Sequence, residues 1–230
     1  MPALLLGACV CFVLLGRWQL ERAEVNRSIE IRFSEAAELP VLVAPVSDAE
    51  ESLYRRIRLE GRYRADQQIL LDNMTHQGRA GFEVLTPFVL DEDARLILVN
   101  RGFVPAGADR GRPPGIALAD VSASVSGRVG RLPRAALDLD APPVELAPSV
   151  VLLSFPEWSD VEAVLGRDAY PFVLLLDADQ ANGFSRDWQV PDDRDERNIA
   201  YAVQWFALGG LALVIAFGAV LRQRQRKERP

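Results

Sequence analysis

AYAVQWFALGGLALVIAFGAVL, residues 200–221, runs for 22 positions without a formal charge. A helix of about 20 apolar residues crosses the hydrocarbon core of a bilayer, so this stretch is expected to span a membrane. Tyr201, Trp205 and Phe206 fall in its first turns, where amphipathic rings favour the headgroup level. Directly after it come Arg222, Arg224, Arg226, Lys227 and Arg229, against the single acid Glu228. Lys and Arg gather on the cytoplasmic side of a span, which places the tail in the cytoplasm and starts the span outside. Gly209, Ala212 and Ala216 are small enough to let a second helix come close.

A second uncharged stretch, Pro2 to Gly16, opens the chain. It is short for a span, but Arg17 can snorkel, and Trp18 and Leu20 extend it to the interface. A cleaved signal peptide would need a positive start and an Ala-x-Ala site, and the sequence offers neither. The expected organisation is a first span over 1–20, an extracytoplasmic β-rich domain over 21–198, a second span over 199–221 and a basic cytoplasmic tail over 222–230. Without an Arg- and Ser-rich leader, the expected home is a bacterial inner membrane, with both termini cytoplasmic and the centre periplasmic.

Charge and residue supply exclude much chemistry. The net charge is −6 even with the basic tail included, so everything before the tail is acidic and unsuited to phosphate backbones. Both cysteines, Cys9 and Cys11, lie in the first apolar stretch, leaving none to staple the middle domain. His76 is the sole histidine, expected in an exposed loop; serine triads and histidine-rich zinc sites lack partners. No glycine-rich phosphate loop joins a strand to a helix. The acidic runs Asp91-Glu92-Asp93, Asp192-Asp193 and Asp195-Glu196 read as solvated loop charge. The chain is therefore not expected to be an enzyme.

In the middle, Ile57, Leu59, Gly61 and Tyr63 alternate with Arg56, Arg58, Glu60 and Arg62, the period of a half-buried strand. Further strands are expected at Ile69–Leu71, Phe82–Leu90, Arg95–Val104, Val121–Val129, Val150–Phe155 and Pro171–Leu176. Asp91 to Ala94 is expected to turn the third into the fourth as a hairpin. Gly and Pro make Ala106–Gly115 a loop. Short helices are expected at Arg27–Ala37 and Trp158–Leu165, and Asp177–Arg197 reads as polar loop. Arg101-Gly102-Phe103-Val104-Pro105 should end a central strand, with Gly102 where a side chain would collide or φ must be positive. The fold class is an α+β membrane protein, two transmembrane helices flanking a β-dominated extracytoplasmic domain.

Several blocks taken together resemble the Surfeit-locus-one family. They are Gly16-Arg17-Trp18-Gln19-Leu20-Glu21-Arg22, Tyr54 to Gly61, Gly78 to Phe88, Val99 to Pro105, and Tyr201-Ala202-Val203-Gln204-Trp205-Phe206. They occur in the family's order and reach from end to end, with Gly107–Ser149 the least recognisable part. The resemblance implies an assembly factor for a haem–copper terminal oxidase, cytochrome c oxidase, that helps place haem a in the catalytic subunit. Implied partners are that subunit, haem-synthesis enzymes and the membrane, with no nucleic acid. The family carries a histidine, a proposed haem ligand, three residues before the Tyr of its Tyr-Ala motif; this chain has Asn198 there.

Helical spacing puts Asn198, Tyr201, Gln204 or Trp205, and Leu208 on one stripe. Gln204 is costly in lipid unless it faces protein, water or a ligand. Trp18 and Gln19 end the first span at the same membrane level. The six residues Trp18, Gln19, Asn198, Tyr201, Gln204 and Trp205 are thus the candidate surface for a flat apolar cofactor such as haem a, and no metal-ligand set accompanies them. Plain helix packing with an interfacial aromatic belt is the alternative use of the same stripe, and a membrane-tethered protein-interaction module without cofactor the alternative function.

Overall fold

The computed structural model describes residues 2–91, 95–118, 122–133, 141–188 and 195–227. The expected turn residues 92–94, Val121, the Asp192-Asp193 pair and the end of the basic tail, 228–230, lie outside them. The chain forms two compact units, Met1–Arg32 with Val190–Pro230, and Phe33–Gln189.

Two helices are long and apolar enough to cross a membrane, with mean hydropathies of 1.8 and 2.0 in their most apolar windows. The first, α1 (Pro2–Glu38), is one continuous helix, where a span and a separate short helix over Arg27–Ala37 were expected. The sequence from Arg17 to Glu38 holds neither Gly nor Pro to interrupt it, and Pro40 follows its end. At about 1.5 Å per residue, the turns after Gly16 continue the helix about 30 Å beyond its uncharged part. Its counterpart, the closing helix, runs Asp195–Lys227 and starts earlier than the uncharged stretch.

The central unit is strand-rich. Its strands are β1 (Arg56–Tyr63), β2 (Gln68–His76), β3 (Arg79–Leu90), β4 (Leu96–Pro105), β5 (Ser122–Gly130), β6 (Val144–Ala147), β7 (Val150–Leu153) and, after the helix α2 (Trp158–Leu165), β8 (Ala169–Leu176); the closing helix is α3. Sheet order is β1-β5-β8-β4-β3-β2-β7-β6, and β1 also pairs with β3. That extra pairing joins Gly61 to Leu90 and Tyr63 to Phe88, so β1, β5, β8, β4 and β3 close into a ring. Closure removes the unpaired edges that an open sheet exposes. The β2, β7 and β6 strands extend outward from the β3 side.

Strand alternation fills the ring. Leu59, Phe88, Val99, Val125, Phe172 and Leu174 belong to one buried cluster drawn from all five ring strands. Each fully buried side chain of this size is worth about 1.5–3 kcal/mol of transfer free energy. The opposite faces of β4 and β8 send Leu96, Leu98 and Val173 to a second cluster, closed by Val161 and Leu165 of α2. That helix ends at Gly166 in the left-handed conformation, φ 62°. All the expected strands exist, and the β3–β4 hairpin pairs Val89 with Leu96.

Two differences have clear causes. The polar stretch around His76 is a hairpin rather than a loop: His76 pairs with Arg79 across Gln77 and Gly78, both at positive φ (49° and 75°). Two such residues make the tight turn whose twist suits adjoining strands. The other is β6, a four-residue strand whose first two residues are exposed, which carries no alternating apolar signal and exists by pairing with β7.

Candidate functional site

In the helical unit, two seams with alternating spacings of four and three face each other. On α1 the seam positions are Phe12, Gly16, Gln19, Ala23 and Asn26, with Gly16 and Ala23 buried. On α3 they are Asn198, Ala202, Trp205, Gly209, Ala212 and Ala216, with Ala202 at 0% exposure. This is the spacing that keeps two helices in contact along their length, and the small residues let the backbones approach. A Cβ placed on Gly16 would lie 2.7 Å from the Phe206 ring. Trp205 stacks on Phe12, ring centroids 5.7 Å apart and planes 23° apart.

This geometry divides the six candidate residues. Gln19, Asn198 and Trp205 are half-buried in the seam. Trp18 and Tyr201 are about half exposed, at 50% and 48%, and Gln204 is exposed. Arg22 lies over the Trp18 ring at 5.6 Å. Of the stripe Asn198, Tyr201, Gln204 or Trp205, and Leu208, Asn198 and Trp205 therefore lie in the seam while Tyr201 and Gln204 lie on its flank; the buried line of α3 is the small-residue register through Ala202 and Gly209. Within the seam, Gln19 Oε1, Asn26 Nδ2 and Asn198 Nδ2 are buried without a hydrogen-bond partner. A buried amide atom left unpaired costs about 1–3 kcal/mol, and the seam holds three of them. Asn26 carried no signal in a sequence reading that ended the first span at residue 20.

In the central unit, the alternation of β4 carries Ile97 and Val99 inward, and Arg101 follows on the same face. Arg101 is 2% exposed. Its Nη1 donates to Gln68 Oε1 (3.0 Å), Thr86 Oγ1 (3.3 Å) and the Ile116 carbonyl (3.2 Å), and its Nε donates to the Asn182 carbonyl (2.7 Å). The segment Asp177–Trp188, expected as loop, is a strap pinned across this strand. Phe184 N–H donates to the Arg101 carbonyl (2.6 Å), and Phe103 N–H donates to the Ser185 carbonyl (2.8 Å). Gly102 sits between them at φ 107°, and a Cβ there would come within 2.6 Å of the Ser185 carbonyl oxygen. Both conditions expected for Gly102 hold.

Asn100 ties this bend to β3: its Nδ2 donates to Glu83 Oε2 at 2.6 Å, and its Oδ1 accepts from Gly102 N–H at 3.0 Å. Burial raises the Glu83 pKa above the ordinary carboxylate value of 4.5, partly offset by the Asn100 bond and by His76. A raised folded pKa means the native state holds the proton more tightly than the unfolded chain. Stability therefore falls as pH rises from about 4.5 through that raised value, and ionised Glu83 remains a cost above it. Glu83→Gln keeps an acceptor for Asn100 without the charge. Its melting temperature at pH 7 is expected to exceed the parent's by about 2–4 °C, the shift for roughly 1 kcal/mol at this size, and to converge with it near pH 4. An equal or lower value at pH 7 would contradict this account of Glu83.

Among the described residues, no group of three or more His, Cys, Asp or Glu side chains could hold a metal ion. The family model described as the SURF1 family matches residues 6–210. An uncharacterised SURF1-like protein of Mycobacterium bovis is 28% identical over 239 aligned residues, covering 95% of this chain and 82% of that protein. A SURF1-like protein of the choanoflagellate Monosiga brevicollis is 34% identical over 106 residues, 40% of each chain. Surfeit locus protein 1 of the fish Takifugu rubripes is 27% identical over 111 residues, 40% of this chain and 45% of that one.

Proposed function

The chain belongs to the SURF1 family, and from that footing we propose that it is a membrane-bound, non-enzymatic assembly factor for a haem–copper terminal oxidase. In this reading it meets the catalytic subunit of cytochrome c oxidase, and the enzymes that supply its haem, while haem a is being placed. The observation that carries the proposal is the extent of the family match, residues 6–210, which takes in most of α1, all the strands of the central unit and the first half of α3. The basic residues after Leu221 and the acidic centre support an inner-membrane orientation with both termini cytoplasmic and the barrel in the periplasm.

The residues present do not fit axial ligation of haem iron by this chain. The seam offers the amides of Gln19, Asn26 and Asn198 where an imidazole is the ordinary choice, and the sole histidine, His76, belongs to the other unit. What the helices can supply is shape, aromatic surface in Trp18 and Trp205, and unpaired amide groups. An axial ligand would come from the oxidase subunit. A second reading, a tether whose barrel binds a protein partner without touching cofactor, draws support from the Trp205–Phe12 stack, which commits that indole to helix packing.

Haem a recovered with the tagged full-length protein from native membranes separates the two. The unmodified protein is expected to carry a small, substoichiometric amount, and Asn198→His is expected to raise it several-fold. Unchanged haem in that variant, with oxidase maturation indifferent to Trp205→Ala, would favour the tether.

A further inference from the structure

We propose that the strapped end of the barrel binds a small oxyanion, a carboxylate or phosphate group, between Arg101, Arg186 and Tyr63. The argument begins with charge. The Arg101 guanidinium is buried in the strand-rich unit, and its acceptors are all neutral: two carbonyls, one side-chain amide and one hydroxyl. Arg186, on the strap itself, donates through Nη2 to the carbonyls of Ala178 (2.8 Å) and Gln180 (2.9 Å). Its Nε and Nη1 are buried and have no acceptor, and neither has the Tyr63 hydroxyl, on a residue 1% exposed.

No carboxylate contacts these cations directly among the described residues; Asp177 and Asp179 act on Arg186 only through space. Asp177 bridges Arg56 at 2.6 Å, Glu83 accepts from Asn100, and Asp179 is exposed. Tyr63 pairs with Phe88, two residues along β3 from the Thr86 hydroxyl that accepts from Arg101. The Arg186 guanidinium packs on Gly183, next to the Asn182 carbonyl that accepts from Arg101 Nε, and the charges of both arginines act on the Tyr63 phenol. Burial pushes the Tyr63 pKa up to about 12, which keeps the phenol protonated and a donor near neutral pH. The neighbourhood therefore presents two guanidinium charges, two idle guanidinium nitrogens and one idle hydroxyl, with no carboxylate hydrogen-bonded to either cation among the described residues.

A buried cation without a counter-charge is among the costliest arrangements a fold can hold. An oxyanion removes that cost and accepts from all three idle donors, the kind of charge-assisted bond guanidinium groups make best. The strap residues 182–186 cover the site, so anion binding and strap docking stabilise each other.

The test is thermal melting of the full-length protein in detergent, titrated with sodium phosphate or with sodium acetate at ionic strength held constant with chloride. A ligand that binds only the folded state raises the melting temperature in proportion to the logarithm of its concentration over Kd. A rise beyond the chloride control is expected with at least one of the two anions, and the responding anion identifies the group. Arg186→Gln should raise the half-effective concentration at least tenfold. Tyr63→Phe should raise it several-fold while melting no lower than the parent without anion, since it deletes only an unpaired buried hydroxyl. The proposal is overturned if neither anion acts beyond chloride, or if both variants respond as the parent does.

Discussion

Gly102→Val is expected to leave little folded protein in the membrane. The backbone at this residue has φ 107°, a region that β-branched side chains enter only at a cost of about 1–3 kcal/mol. Space is a separate obstacle. A Cβ would sit 2.5 Å from Arg186 Cγ and 2.6 Å from the Ser185 carbonyl oxygen, and the latter is backbone that cannot swing aside. Accommodating valine means lifting the strap, which breaks the Phe184–Arg101 and Phe103–Ser185 main-chain bonds and strips Asn182 from Arg101. Together these exceed about 4 kcal/mol, a large share of the roughly 5–15 kcal/mol that holds a typical domain together. Membrane levels and limited proteolysis read the outcome: the variant should be cleaved within 177–188 far faster than the parent. A melting temperature and a cleavage rate equal to the parent's would refute this role for the strap.

Ala202→Leu should carry the second large effect, this time on function. Ala202 is fully buried in the α1–α3 seam, whereas its neighbour Val203 is 63% exposed. Between membrane helices, close packing of small residues takes the place of the hydrophobic drive, and overfilling a tight site costs about 1–3 kcal/mol. Leucine at 202 must push α1 away near Gln19 and Ala23, disturbing the unpaired amides that mark the proposed recognition surface. Oxidase haem a in cells relying on Ala202→Leu is expected to fall to less than about a quarter of the parent level, a loss of roughly tenfold in helix pairing for each 1.4 kcal/mol. Val203→Leu, one residue away on the exposed face, should be silent. Equal haem a content in the two variants would mean the seam is not where the protein acts.

Periodicity made most of the barrel legible. Ile57 to Tyr63 alternates because one face of β1 packs into the ring and the other meets solvent, and a period of two is visible in any such strand. Gly102 could be anticipated because glycine inside an apolar strand marks close approach or unusual φ. Ring closure was not legible: it depends on Tyr63 meeting Phe88, a pairing between distant segments that no local pattern encodes. β6 was invisible because its order comes from β7 and not from its own residues. The helix pair was half legible. Small residues at 209, 212 and 216 announced a close approach, whereas Ala202, which leads the same register, was not singled out because an alanine near the headgroup level carries no local signal. The buried Arg101 site was hidden for a different reason, since it needs the strap, and polar strap residues look like ordinary loop until their partners are known.

The central claim is that this chain serves the maturation of a haem–copper oxidase, and reduced-minus-oxidised spectra of membranes from its source organism test it most directly. With the gene deleted, the haem a absorbance of the oxidase is expected to drop severalfold while b-type haem persists, and the intact gene supplied in trans should restore it. Haem a absorbance and oxidase activity undiminished in the deletion strain would contradict the account.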